Sequence, residues 1–223
     1  MTGASGRQRL RDMSRGWLMA VTVAPIAVIL VAILAVNLVT NTERAIDLTK
    51  REMTGAVRTL SERFDGELRR VAQVADQTGS AVTVLEELGE QQIYDLLVNG
   101  VLQDSLIYGA AMAYVAGGFE GREAFSPYVY RDGVGSDSLS RLDIATAYDY
   151  LNDPGVSWWA DPVKSGQPVW SEPYFDEGAG NIMMATYSVP FRDSDGRLLG
   201  VTTVDIPLSP LQRFVGTVLN VLV

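Results

Sequence analysis

Residues 17–40, WLMAVTVAPIAVILVAILAVNLVT, carry no charge, and such a run is long enough for a helix to cross a bilayer core of about 30 Å. A different pattern follows. Met53, Val57, Leu60, Phe64, Leu68, Val71 and Val74 recur at steps of three or four, the period of a helix with one apolar face, while Glu43, Arg44, Arg51, Glu52, Arg58, Glu62, Arg63 and Glu67 take other positions, as on a solvated face. This predicts a helix over 42–78, roughly 50–60 Å long at 1.5 Å per residue, broken at Gly79 and Ser80. A second helix is expected over 90–102. Strand signals then take over: apolar residues at 106–115, aromatic and β-branched ones at 127–131, and further strands at 169–175, 182–191 and 198–206. The last two are separated by Asp193-Ser194-Asp195-Gly196, a hairpin turn signal, and a short helix is expected over 141–151. Sequential antiparallel strands with helices beside them make an α+β fold: one transmembrane helix, a long helix after it, and an antiparallel sheet interrupted by a helical insert.

Charge orients the span. Residues 1–16 hold Arg7, Arg9, Arg11 and Arg15 against Asp12, a net of +3, and the whole chain is −9, which leaves −12 for the rest. The positive-inside rule therefore puts the N-terminus in the cytoplasm and the acidic bulk outside the membrane. A cleaved signal peptide is the rival reading, but its apolar core is only about 7–15 residues long. The acidic bulk argues against nucleic acid as a partner. The resulting division is a cytoplasmic tail at 1–16, a span at 17–40, an external helix at 41–80, a domain at 81–210, and the start of a linker or a truncated end at 211–223. The apolar face of the external helix serves its own domain, a homodimer contact, or both.

Cysteine and histidine are absent, which removes thiolate nucleophiles, Cys/His metal sites and imidazole acid–base chemistry. No metal and no cofactor is expected. The densest candidate chemistry lies at 148–176, where Tyr148, Tyr150, Trp158, Trp159, Trp170, Tyr174 and Phe175 stand among Asp149, Asp153, Asp161, Glu172 and Asp176. Aromatic walls with carboxylates suit a small polar or cationic ligand. The same residues also suit ordinary core and a solvated loop, and composition does not decide between the two.

The run WWADPVKSGQPVWSEPYFDEGAGNIMMATYSVPFRDSDGRLLGVTTVDIPLSPLQRF resembles the Cache (PAS-like) sensor superfamily, particularly the double-Cache type. The likeness rests on the paired aromatics Trp158 and Trp159, on the Gly-x-Pro-x-Trp-Ser-x-Pro-Tyr-x-Asp strand ending at Asp176, on the Asp-Gly hairpin, and on Gly200, Val201, Asp205 and Ile206. The resemblance is to sensors attached to sigma-regulator-type serine phosphatases, histidine kinases and chemoreceptors. It implies a PAS-like antiparallel sheet and a ligand site at Trp158, Trp159, Asp161, Tyr174, Asp176 and Asp205. Relatives that bind amino acids carry an arginine where Val156 stands here, and a tyrosine is usual in place of Trp159. A ligand carboxylate thus lacks its bidentate partner, whereas an amine keeps the carboxylates Asp176 and Asp205.

The function expected is an extracytoplasmic small-ligand sensor module of a membrane receptor, which binds ligand and passes the signal through the long helix to an output domain outside this chain. The competing readings are a hydrolase using Glu172 and Asp176, a calcium loop at Asp193–Gly196 that lacks most EF-hand ligands, and a membrane-anchored structural domain without ligand. If carboxylates rather than amines bind, Lys164 and Arg131 are the first cationic partners to consider.

Overall fold

The computed structural model describes residues 4–84 and 88–209. The segment expected as a linker, 211–223, lies outside them. Chain contacts divide the protein into two units, Met1–Ser61 and Glu62–Val223.

The first unit is helix. It belongs to α1, which runs unbroken over Ala4–Val84 with Pro25 inside it, and one stretch of this helix is long and apolar enough to cross a membrane. Ile29, Leu34 and Leu38 stand more than half exposed. The polar residues at the end of the apolar run turn their hydrogen bonds back onto the helix: Asn37 donates to the Ile33 carbonyl at 3.0 Å and Thr40 to that of Val36 at 2.9 Å. Such back-bonding lowers the cost of placing them in hydrocarbon. Farther along, Ile46, Met53 and Val57 continue an exposed apolar strip.

In the second unit the end of α1 and α2 (Glu90–Gln103) cover one face of a seven-stranded antiparallel sheet. Its strands are β1 (Gly109–Tyr114), β2 (Pro127–Arg131), β3 (Leu139–Asp143), β4 (Val169–Trp170), β5 (Tyr174–Phe175), β6 (Met183–Arg192) and β7 (Leu198–Pro207). They lie in the order β3-β2-β1-β7-β6-β4, with β5 also on β6. Alternation along the strands sorts the two faces. On the helix side Met112, Val129 and Val204 meet Val71, Val74 and Leu97. On the other side Ala111, Tyr128 and Val201 meet Ile144, Tyr150, Trp158 and Trp159 of the insert between β3 and β4.

Three sequence expectations need correction. Gly79 and Ser80 do not break the helix. The missing Cβ of Gly79 lets α1 approach β7, since a Cβ there would sit 3.2 Å from Thr202 Oγ1, and that hydroxyl donates to the Ala75 carbonyl at 3.1 Å. The stretch expected as a helix over 141–151 instead begins as β3 against β2 and continues into a one-turn 3₁₀ helix, Ile144–Thr146, capped by the Asp143 side chain. The single strand at 169–175 is two short ones flanking Pro173, which has no N–H to give to a ladder. The helix in the insert is α3, Ser157–Ser165, ended by Gly166 in the left-handed conformation at φ 66°.

Arg131 ties this architecture at one corner. Its buried guanidinium donates to the carbonyls of Ile107 at 2.8 Å, Val101 at 2.9 Å and Ser136 at 2.6 Å, so it closes the C-terminal end of α2 onto the sheet. It is engaged there and is not among the residues lining the cavity described next.

Candidate functional site

The insert side of the sheet holds a small cavity among mostly buried residues, lined by Ala111, Tyr128, Ile144, Tyr148, Trp158 and Tyr174 together with Asp176, Met184, Thr203 and Asp205. Asp205 projects from the end of β7 and is 4% exposed. Thr186, its cross-strand partner on β6, donates its hydroxyl proton to Asp205 Oδ1 at 2.7 Å. Thr186 has only one such proton, so when Asp205 is ionised the 2.8 Å contact between Tyr174 Oη and Thr186 Oγ1 has the tyrosine as donor. Tyr174, Thr186 and Asp205 therefore form a hydroxyl chain ending in a carboxylate.

Asp176 follows β5 and is also 4% exposed. Its Oδ2 accepts from the Gly180 amide, and its carbonyl accepts from Asn181 N at 2.8 Å, closing a tight loop over Glu177–Asn181. Tyr108 donates its hydroxyl to the Gly180 carbonyl at 3.0 Å. Residue 180 has to be glycine in this arrangement, because a Cβ there would come within 2.8 Å of the Tyr108 ring. Tyr128 enters from β2 over Gly109. Its hydroxyl is fully buried and makes no hydrogen bond of ordinary geometry, which is costly for a hydroxyl facing an empty space.

Electrostatics follow from this enclosure. Burial raises Asp205 from 3.8 to about 7, with the neighbouring Asp176 adding to the rise and the nearby hydroxyls of Thr186 and Tyr128, which favour the ionised form, opposing it. Burial also raises Asp176, partly offset by the Gly180 amide. Burial first and the two carboxylates next push the Tyr174 and Tyr128 hydroxyls upward, so both stay protonated. Among the described residues no lysine or arginine lines the cavity. The free space is about 10 Å³, about what one water molecule needs.

Of the six residues that the sequence singled out, Trp158, Tyr174, Asp176 and Asp205 line this cavity. Trp159 does not: it is buried edge-on against Tyr150, with ring centroids 5.0 Å apart. Asp161 is exposed on α3 and is not among the lining residues. Glu172 is exposed while Asp176 is buried, so this pair shares no cleft for hydrolysis. The Asp193 loop is a plain hairpin turn in which the Asp193 carboxylate accepts from Asp195 N and Arg197 N, and no cluster of three potential metal ligands occurs among the described residues. Lys164 is exposed. Tyr128, Thr186 and Thr203 were missed. Their signal was the alternation Thr203-x-Asp205 and Thr186-x-Ser188 on otherwise apolar strands, which puts polar groups on one inward face. A larger cleft of about 640 Å³ opens at the opposite end of the sheet near Tyr114 and Leu199, where Arg197 pairs with Asp193 and Glu120 with Arg122.

Residues 93–213, more than half of the chain, match the family model of the methyl-accepting chemotaxis protein-like, first PDC sensor domain. The chain belongs to this family. A stretch of 57 residues is 40% identical to methyl-accepting chemotaxis protein TlpQ of Pseudomonas aeruginosa, covering 25% of this chain and 8% of that protein. The extracellular domain of the putative histidine kinase soHK1S-Z6 is 31% identical with a TM-score of 0.63, over 70% of this chain and 59% of that one. Methyl-accepting chemotaxis protein X is 22% identical with a TM-score of 0.65, over 78% and 68%. Among more distant PDC structures, the ligand-binding domain of the Campylobacter jejuni chemoreceptor Tlp3, solved in complex with 4-methylisoleucine, is 15% identical with a TM-score of 0.56, over 75% and 62%. The chain thus carries a sensor domain of the chemoreceptor type.

Proposed function

We propose that this chain is the extracytoplasmic, double-Cache-type sensor part of a membrane receptor and that its cavity takes a small amine in its cationic form. The observation that carries this reading is the lining itself: two buried carboxylates, Asp176 and Asp205, a Tyr128 hydroxyl without a hydrogen bond of ordinary geometry, the aromatic walls Tyr148 and Trp158, and no basic side chain among the described residues. An ammonium group supplies the donors and the charge that such a cavity lacks, while a carboxylate ligand would meet only like charge. A ligand larger than water requires the insert that carries Tyr148 and Trp158 to move outward. In this reading residues 17–40 anchor the chain in the cytoplasmic membrane with the N-terminus inside, the exposed strip at Ile46, Met53 and Val57 pairs with a second copy, and the output domain lies outside the chain.

The test is thermal unfolding of the full chain in lipid nanodiscs, since a ligand bound only to the native state raises apparent stability. Methylammonium, propylammonium and 1,4-diaminobutane are compared with L-valine and succinate. At least one amine should raise the midpoint, and Asp205→Ala and Trp158→Ala should each abolish the rise. A shift with succinate and none with any amine refutes the reading.

A further inference from the structure

We propose that the empty cavity stores a proton on the Asp176–Asp205 pair and that a cationic ligand enters by displacing it. The inference rests on the amine reading of the same cavity and adds to it the ionic state of the empty site and the fate of the proton.

Two buried carboxylates share one space with no basic side chain in its lining among the described residues, and like charges in a desolvated site do not both ionise near neutral pH. Among the described residues, every titratable group that bears on Asp205 is either an acid or a tyrosine held neutral. Asp176 approaches from the loop after β5, Tyr128 from β2, Tyr174 from β5, Tyr148 from the insert and Tyr108 from the start of β1. None of these can neutralise a second negative charge, so a proton must.

Geometry places that proton on Asp205. Asp176 receives the Gly180 amide, a donor fixed by the loop that cannot turn away, and this favours its charged form. Asp205 faces only hydroxyls that can rotate, that of Thr186, which donates to it, and that of Tyr128, which makes no hydrogen bond of ordinary geometry. Both can turn to accept instead, so a neutral Asp205 can donate to the Tyr128 oxygen. An arriving ammonium then brings its own positive charge and its N–H donors to the same carboxyl. The Asp205 O–H bond breaks, the electron pair stays on the carboxylate, the proton leaves to solvent, and the net charge of the site does not change. The receptor therefore exchanges one cation for another.

The experiment is isothermal titration of the full chain in lipid nanodiscs with methylammonium, in buffers of different ionisation heat. Near about pH 6 close to one proton should be released per ligand bound, near about pH 8.5 almost none, and the affinity should rise about tenfold per pH unit below neutrality and then level off. Thr186→Val removes a hydrogen bond to the ionised form and should move the levelling point to higher pH, an effect that a merely structural threonine would not have. In the ligand-free chain, infrared difference spectroscopy should show a protonated carboxyl band that titrates near neutral pH and is absent in Asp205→Asn. Methylammonium binding without proton release and with a flat pH profile overturns the exchange but leaves the amine reading standing. Failure of every amine to bind, with the protonated band present, overturns the amine reading and the exchange together.

Discussion

Replacing Asp205 with asparagine tests the electrostatics of the site without any ligand. Asparagine keeps the shape of the side chain and an oxygen to accept the Thr186 hydroxyl, and it removes the ionisation. In the folded chain Asp205 titrates at about 7 instead of 3.8. Between those values the folded state holds a proton that the unfolded chain gives up, so raising the pH destabilises the fold. Below about pH 4 both states are protonated and the penalty is absent, and above about pH 7 both are ionised and it is complete. At ~1.4 kcal/mol per pH unit the window spans up to about 4 kcal/mol. Asp176 is raised in the same sense, but it is present in both proteins, so the difference between them isolates Asp205. Urea unfolding of the full chain in nanodiscs, followed by the fluorescence of buried Trp158 and Trp159, is the assay. Wild type and Asp205→Asn should be of similar stability near pH 4, and the variant should gain up to about 4 kcal/mol on the wild type by pH 8. A difference that stays constant from pH 4 to pH 8 would mean that Asp205 ionises like an exposed carboxylate, and the argument for an enclosed acidic site would fail.

Other positions give independent checks. A Cβ at residue 109 would lie 2.4 Å from Tyr128 Oη and 2.6–2.7 Å from its ring carbons Cε2 and Cζ, so Gly109→Ala should cost about 1–3 kcal/mol in chemical denaturation; adding Tyr128→Phe should not relieve it, whereas adding Tyr128→Val should recover part. Arg131→Leu strands three carbonyls that the guanidinium now serves and should lower stability by about 3 kcal/mol or more in the same assay, with Arg131→Lys a poor rescue because an ammonium lacks the fork. Asp161 is exposed on α3, so Asp161→Ala should change stability by no more than about 0.5 kcal/mol and leave the amine-induced thermal shift intact.

What the sequence disclosed and what it hid follow from the range of the interactions. The strand over 127–131 and the long hairpin near 182–206 were legible because alternation and the Asp193–Gly196 turn are local signals, and they appear as β2, β6 and β7. The continuation of α1 through Gly79 was not legible: a glycine reads as a break, and its reason for being there is Thr202, far along the chain. Likewise β3 forms because β2 offers a ladder at the sheet edge, which no local propensity reports. The cavity shows the same division. Tyr174, Asp176 and Asp205 stood in a motif, and Trp158 beside them in the insert, whereas Tyr128 matters because Gly109 on the neighbouring strand makes room for it and Thr186 because register sets it opposite Asp205. Trp159, adjacent to Trp158, turns to Tyr150 instead, since neighbours on a helix point in different directions.

Strand β7 is a single ply with the cavity on one side and a helix on the other. Thr203 and Asp205 face inward to the carboxylate pair, while Thr202 and Val204 face the end of α1, where the Thr202 hydroxyl grips the Ala75 carbonyl. Side chains one residue apart on a strand share a peptide plane, so they cannot be moved independently. Any tilt of β7 that brings Asp205 toward an incoming cation also drags Thr202 along its seat on α1, with no intermediate layer to absorb the motion. The strand works as a rocker whose two bearing residues, Thr202 and Asp205, stand only three positions apart on opposite faces, and the tight seat that Gly79 provides leaves it little slack.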